Sequence, residues 1–156
     1  MDYKKFVPCI YLYQGKAVQS FEDRTPVSLN PLELARFYSE HQADELLVFD
    51  LSNGDTEHEE ALDIIKEICG SVQIPVIGAG NVKRMEDIKK LLYAGCKKGV
   101  LNYDKEENIS ITEEVSLKFG RDKIAATITT VERLEEQKAL LADHVSDCLL
   151  YTSRCV

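Results

Sequence analysis

Runs of strand length and runs of helical spacing take turns along this chain almost without exception. Residues 6–13 read as a first strand, and Gln14-Gly-Lys16 turns the chain. Asn30 then caps a helix with Pro31 at its first position and Glu33 placed for a capping box, its apolar side carried by Leu32, Leu34, Ala35, Phe37 and Tyr38. Residues 45–50 form a second strand, and Thr56 with Glu59 makes another capping box ahead of Ala61, Ile64, Ile65 and Ile68. Residues 74–77 form a third strand that runs into Gly78 and Gly80; its helix opens near Arg84 and stops at Gly95. Residues 98–102 are a fourth strand, and the helix marked by Ile111, Val115 and Phe119 stops at Gly120. A fifth strand over 123–128, a helix over 131–142 and the start of a sixth strand at 144–147 complete the pattern. Strands this short between amphipathic helices require a parallel sheet covered by helices. The fold class is α/β, as an open doubly wound sheet or part of a (β/α)8 barrel.

Either architecture puts ligands beyond the carboxyl ends of the strands. Asp50, Gly78, Gly80, Asn81 and Asn102 all fall at that end. A strand that ends in a glycine turn and feeds a helix start leaves backbone N–H groups pointing outward with the helix dipole behind them, a place for an anion such as phosphate. The plainer reading is that Gly78 and Gly80 supply a tight turn with positive φ. Lys83 and Arg84 either reach a bound phosphate or form a solvated face.

With 156 residues the chain fits one domain with a real core. A net charge of −8 argues against a nucleic-acid surface, which needs a basic face. No run is long enough to span a bilayer, and the first strand is too aromatic to be a signal peptide. Of the five cysteines, Cys9, Cys69 and Cys96 sit in apolar stretches without Cys-x-x-Cys spacing, which points to a reducing cytoplasm. No cofactor is expected. His41, His58 and His144 lack metal-ligand spacing and read as solvated side chains, so no metal is expected either. Glu57, Glu59, Glu60 and Asp63 complement the dipole of the second helix. Asp50 is the carboxylate expected to face a ligand.

Val7-Pro-Cys-Ile10 with Gln14-Gly-Lys-Ala-Val18, Asp44-Glu-Leu-Leu-Val-Phe-Asp50, Ile74-Pro-Val76 with its glycine loop, Leu91-Leu-Tyr-Ala-Gly95 and Val100-Leu-Asn102 form a set. Together they resemble the first half of the histidine-biosynthesis barrels, the cyclase subunit of imidazole glycerol phosphate synthase and its sister ribotide isomerase, the cyclase more closely. The resemblance implies a ribulose-phosphate-binding TIM (β/α)8 fold, here partial, with about five βα units and the start of a sixth. It implies that Gly80, Asn81 and Asn102 surround a phosphate and that Asp50 matches a strand-end acid. It also shows what is missing: the family's two catalytic Asp positions hold Tyr11 and Thr129, its assisting Lys is Gln19, and its triple glycine is interrupted by Ala79. A phenol with an ordinary pKa of about 10 and a hydroxyl replace two carboxylates poorly.

The expectation is therefore a barrel domain over residues 1–147 that binds a phosphorylated ribosyl molecule without catalysis of its own, followed by a non-native tail over 148–156. Such segments resemble the extension on histidine-pathway fusions of phosphoribosyl-AMP cyclohydrolase and phosphoribosyl-ATP pyrophosphohydrolase. The alternatives are a divergent active cyclase or isomerase, and a structural half-barrel that associates with itself.

Overall fold

The computed structural model describes residues 4–128 and 131–144. Strand β1 (Cys9–Tyr13) turns back through Gln14 and Gly15, both at positive φ (50° and 76°), into β2 (Lys16–Val18). Positive φ at both central residues matches the twist of a two-residue hairpin. Strand β3 (Pro26–Ser28) pairs antiparallel with β2, so two antiparallel strands extend a sheet that the sequence pattern had made wholly parallel. Their three-residue length explains the omission, because period-2 alternation has no room to register in so short a run.

From there the strand–helix alternation holds. The elements are α1 (Pro31–Glu40), β4 (Leu46–Asp50), α2 (Asp55–Ser71), β5 (Val76–Ala79), α3 (Met85–Ala94), β6 (Lys98–Asn102), α4 (Glu106–Phe119), β7 (Ile124–Thr127) and α5 (Leu134–His144). The sheet runs β3-β2-β1-β4-β5-β6-β7, with every pair from β1 through β7 parallel. This is an α/β sheet of the partial TIM-barrel type. His144 belongs to α5 and does not open a sixth strand; residues 145–147 and the tail lie outside the described residues.

Caps decide where the helices begin. Asn30 Oδ1 accepts the N–H groups of Leu32 and Glu33 at 3.2 and 3.3 Å, as expected of an N-cap. The return half of the box comes from Ser28, whose Oγ accepts the Asn30 N–H at 3.2 Å, a role expected of Glu33. For α2 the Thr56–Glu59 box does not form. The helix starts at Asp55 after Gly54, Glu57 Oε2 reaches back to the Asn53 N–H at 3.1 Å, and Glu59 pairs with Lys90 of α3 at 2.8 Å. Asp55 and Glu57 place negative charge in the first turn, where the helix dipole favours it.

Alternate strand residues supply two cores. Ile10, Leu12, Leu46, Val48 and Leu101 face the helices and pack with Ile65, Ile68, Ile88, Leu91 and Val115. Ile77, Ala79, Val100 and Ala125 form a smaller cluster on the other face, with Leu47 and Phe49 against it. On the helix face Gly78 keeps α3 close: a Cβ there would stand 2.7 Å from Leu91 Cδ2 and 2.9 Å from Cys96 Sγ. Gly78 therefore lies inside β5 as a packing position and not in the turn that follows.

Candidate functional site at the strand ends

The carboxyl ends of β4, β5 and β6 meet through amide side chains. Gly80 has φ +93°, and a Cβ there would fall 2.2 Å from the Asp50 carbonyl oxygen. Only glycine lets the loop after β5 lie this close to the end of β4. Asn81 follows at φ +54°, in the left-handed region that Asn tolerates better than most residues. Its Nδ2 donates to Ser52 O and Ser52 Oγ, both at 3.0 Å, and more weakly to Asp50 O at 3.4 Å.

A second amide closes the other side. Asn108, buried at the start of α4, donates through Nδ2 to Val82 O at 2.7 Å and accepts the Asn102 N–H at 2.7 Å. Asn102 Oδ1 accepts the Asp104 N–H at 2.9 Å, an Asx-type turn that shapes the loop after β6. Three loops are thus laced together by Asn81, Asn102 and Asn108. Asn81 and Asn102 were expected at this place; Asn108 was not, since one Asn in an amphipathic helix carries no motif.

The start of α3 holds an anion of its own. Asp87 Oδ2 accepts the N–H groups of Lys83 and Arg84 at 2.9 and 3.0 Å. These amides are satisfied within the chain. Among the described residues the backbone N–H groups of Asn81 and Val82 donate to no protein acceptor. The open amides of this stretch therefore lie in the Gly80–Asn81–Val82 loop, ahead of the helix.

Asp50 departs from expectation. It shares the helix-covered face with Leu46 and Val48, and its side chain is 1% exposed. Oδ1 accepts the Ser52 N–H at 2.9 Å, and Oδ2 lies 2.5 Å from His58 Nδ1. The carboxylate is used inside the fold and does not face the strand-end space. His58, expected to be solvated, is only 16% exposed at its side chain and pairs with this acid. His41 does remain at the surface, stacked on Phe37 with ring centroids 4.0 Å apart.

On the opposite face stands Tyr11, which the resemblance matched to an acid position. Its ring stacks on Phe49 at 5.3 Å, and Phe21 crosses both rings edge-on at 5.1 and 5.0 Å. Phe21 lies in the connection between β2 and β3, near Gln19, whose N–H is bonded to Thr25 O. Three aromatic rings thus cluster on this face of the sheet. Thr129 lies outside the described residues.

Away from the strand ends, Cys69 and Cys96 interact. A hydrogen bond from the Cys96 thiol holds Cys69 below the usual thiol range, and the same bond, aided by burial, pushes Cys96 up. Among the described residues no group of His, Cys, Asp and Glu side chains is placed to hold a metal, and no helix is long and apolar enough to cross a membrane.

Comparison with known proteins gives consistent matches. Residues 5–145 match the family described as histidine biosynthesis protein. The imidazole glycerol phosphate synthase subunit HisF of Staphylococcus saprophyticus is 33% identical over 126 residues, covering 80% of this chain and 50% of that protein. The HisF subunit of Staphylococcus aureus strain Newman is 31% identical over 126 residues, with the same coverage of 80% and 50%. The chain spans about half the length of the curated relatives it matches.

Proposed function

The chain belongs to the histidine biosynthesis protein family, and from that premise we propose that it is a barrel domain which binds the phosphate of a phosphoribosyl-type ligand without acid–base catalysis of its own. The observation that carries this is the pair of backbone N–H groups at Asn81 and Val82, presented at the strand ends with Gly80 and Asn81 in left-handed conformation. Hydrogen bonds to a charged acceptor are worth about 1.5–3 kcal/mol each. Two of them, with Asp87 already neutralising the helix start, support weak binding, with Kd on the order of 1 mM for a simple phosphate. Lys83 and Arg84 add positive charge beside the loop.

The aromatic cluster supports the absence of catalysis. A general acid or base must exchange a proton near neutral pH within reach of the reacting group. Tyr11 offers a ring packed between Phe49 and Phe21. On this reading the chemistry belongs to other domains of a larger cytoplasmic histidine-pathway enzyme, of the phosphoribosyl-AMP cyclohydrolase and phosphoribosyl-ATP pyrophosphohydrolase kind. The test is a titration of the protein with ribose 5-phosphate, followed by backbone amide signals. Shifts centred on residues 80–82 are expected; silence there at about 10 mM ligand, ten times the expected Kd, rejects the reading. Turnover of a cyclase or isomerase substrate by the unaltered protein rejects the non-catalytic half of it.

A further inference from the structure

We infer that His58 is the positioning residue of the anion-binding loop, acting through the Asp50 carboxylate that its Nδ1–H holds. Its place as the loop of an anion site rests on the reading above; its mechanical role does not. Asp50 accepts at Oδ2, so Nδ1 of His58 carries the hydrogen. The other ring nitrogen, Nε2, is buried without a partner, so among the described residues the bond to Asp50 is the hydrogen bond that orients the ring.

The contacts run in sequence from α2 to the loop. His58 fixes Oδ2, the Ser52 N–H fixes Oδ1, and together they set the direction in which residues 50–52 leave β4. That segment is the support of the neighbouring loop. The Asp50 carbonyl lies where any Cβ at Gly80 would go, and Ser52 gives both of its oxygens to Asn81 Nδ2. A non-glycine residue keeps a left-handed backbone only when its surroundings over-determine it, and for Asn81 those surroundings include Ser52. Without the His58 donor, Oδ2 becomes a buried acceptor with nothing to accept, and the carboxylate gains by turning toward water. Ser52 then moves with it, Asn81 loses its acceptors, and the amides of Asn81 and Val82 no longer converge.

The test compares the full chain with His58→Leu, which keeps bulk and removes the donor, and His58→Asn, whose amide nitrogen can stand in for Nδ1. Backbone amide order parameters are measured by NMR relaxation without ligand, and inorganic phosphate is then titrated. His58→Leu is expected to lower the order parameters of residues 80–82 from the rigid range to below about 0.6 and to weaken phosphate about tenfold, with those of the β5 and β6 strands unchanged. His58→Asn is expected to restore both. If His58→Leu does not fold, His58→Gln, which moves the donor away from Oδ2, carries the same expectation for residues 80–82. Wild-type order parameters at 80–82 in the variant lacking the donor, or His58→Asn behaving like His58→Leu, overturn the inference. A wild-type protein blind to phosphate whose loop still loosens in His58→Leu rejects the anion site and leaves the positioning role standing. Phosphate binding that His58→Leu does not alter does the reverse.

Discussion

The two faces of the sheet treat their strand ends in opposite ways. On the helix side, Asp50, His58, Ser52, Asn81 and Asn108 form a polar lattice in which the loops hold one another. On the other side, Tyr11, Phe49 and Phe21 fill the space with rings. The difference separates two kinds of functional group. The backbone N–H groups proposed to bind an anion sit on loops that this lattice holds, so folding itself maintains them. A catalytic acid is a single side chain on an otherwise apolar face. It can be exchanged for an aromatic ring without loss of fold, and the ring gains contacts there. Binding can therefore outlast catalysis on such a scaffold.

The contrast breaks most sharply at Gly80. Gly80→Ala puts a methyl into the Asp50 carbonyl at a left-handed φ, and unfolding free energy is expected to fall by about 4 kcal/mol or more in denaturant titration. Close to wild-type stability in that variant means the two loops are not locked as described. Asp50→Ala removes the acceptor of His58 and of the Ser52 N–H, for an expected loss of about 3 kcal/mol together with the phosphate response of residues 80–82.

Tyr11→Asp probes the aromatic side. Losing the stack on Phe49 is expected to cost about 1–2 kcal/mol, while the phosphate response at residues 80–82 stays as in the wild type. A lost response would show that the two faces are coupled and erase the distinction. The smallest effect concerns thiols remote from both. Cys69 is expected to alkylate before Cys96 at neutral pH, because the hydrogen bond from Cys96 lowers it while burial and the same bond raise its partner. Removing that donor in Cys96→Ala lets the Cys69 thiol rise toward its ordinary range, so its alkylation is expected to slow by a few-fold, read by mass spectrometry.

The alternation of strands and helices could be read because its signals are local. Gly95 and Gly120 close α3 and α4 as their positions foretold, and β6 spans the residues its apolar run marked. Pro31 and Asn30 fix the start of α1 within a few residues of chain. Capping was less secure, because the helix can open at Asp55, with Glu57 reaching back to the Asn53 N–H, or one residue later on Thr56, and the stretch itself does not say which start wins. The short β2 and β3 strands had no periodicity to read and owe their place to pairing with β1.

By itself the sequence determined the parallel α/β framework and put the glycine loop at the carboxyl ends of the strands, because hydrophobic period, caps and turn residues act over a few positions. Only tertiary structure decided which way Asp50 points. Leu46, Leu47, Val48 and Phe49 are all apolar because both faces of the sheet are covered, so no alternation marks the face on which the next residue falls. That choice follows from register with β1 and β5 and from the packing of α2, contacts made between residues distant in the chain. Those long-range contacts bring His58 to Asp50 and Asn108 to Val82, and so turn a glycine turn into a braced loop.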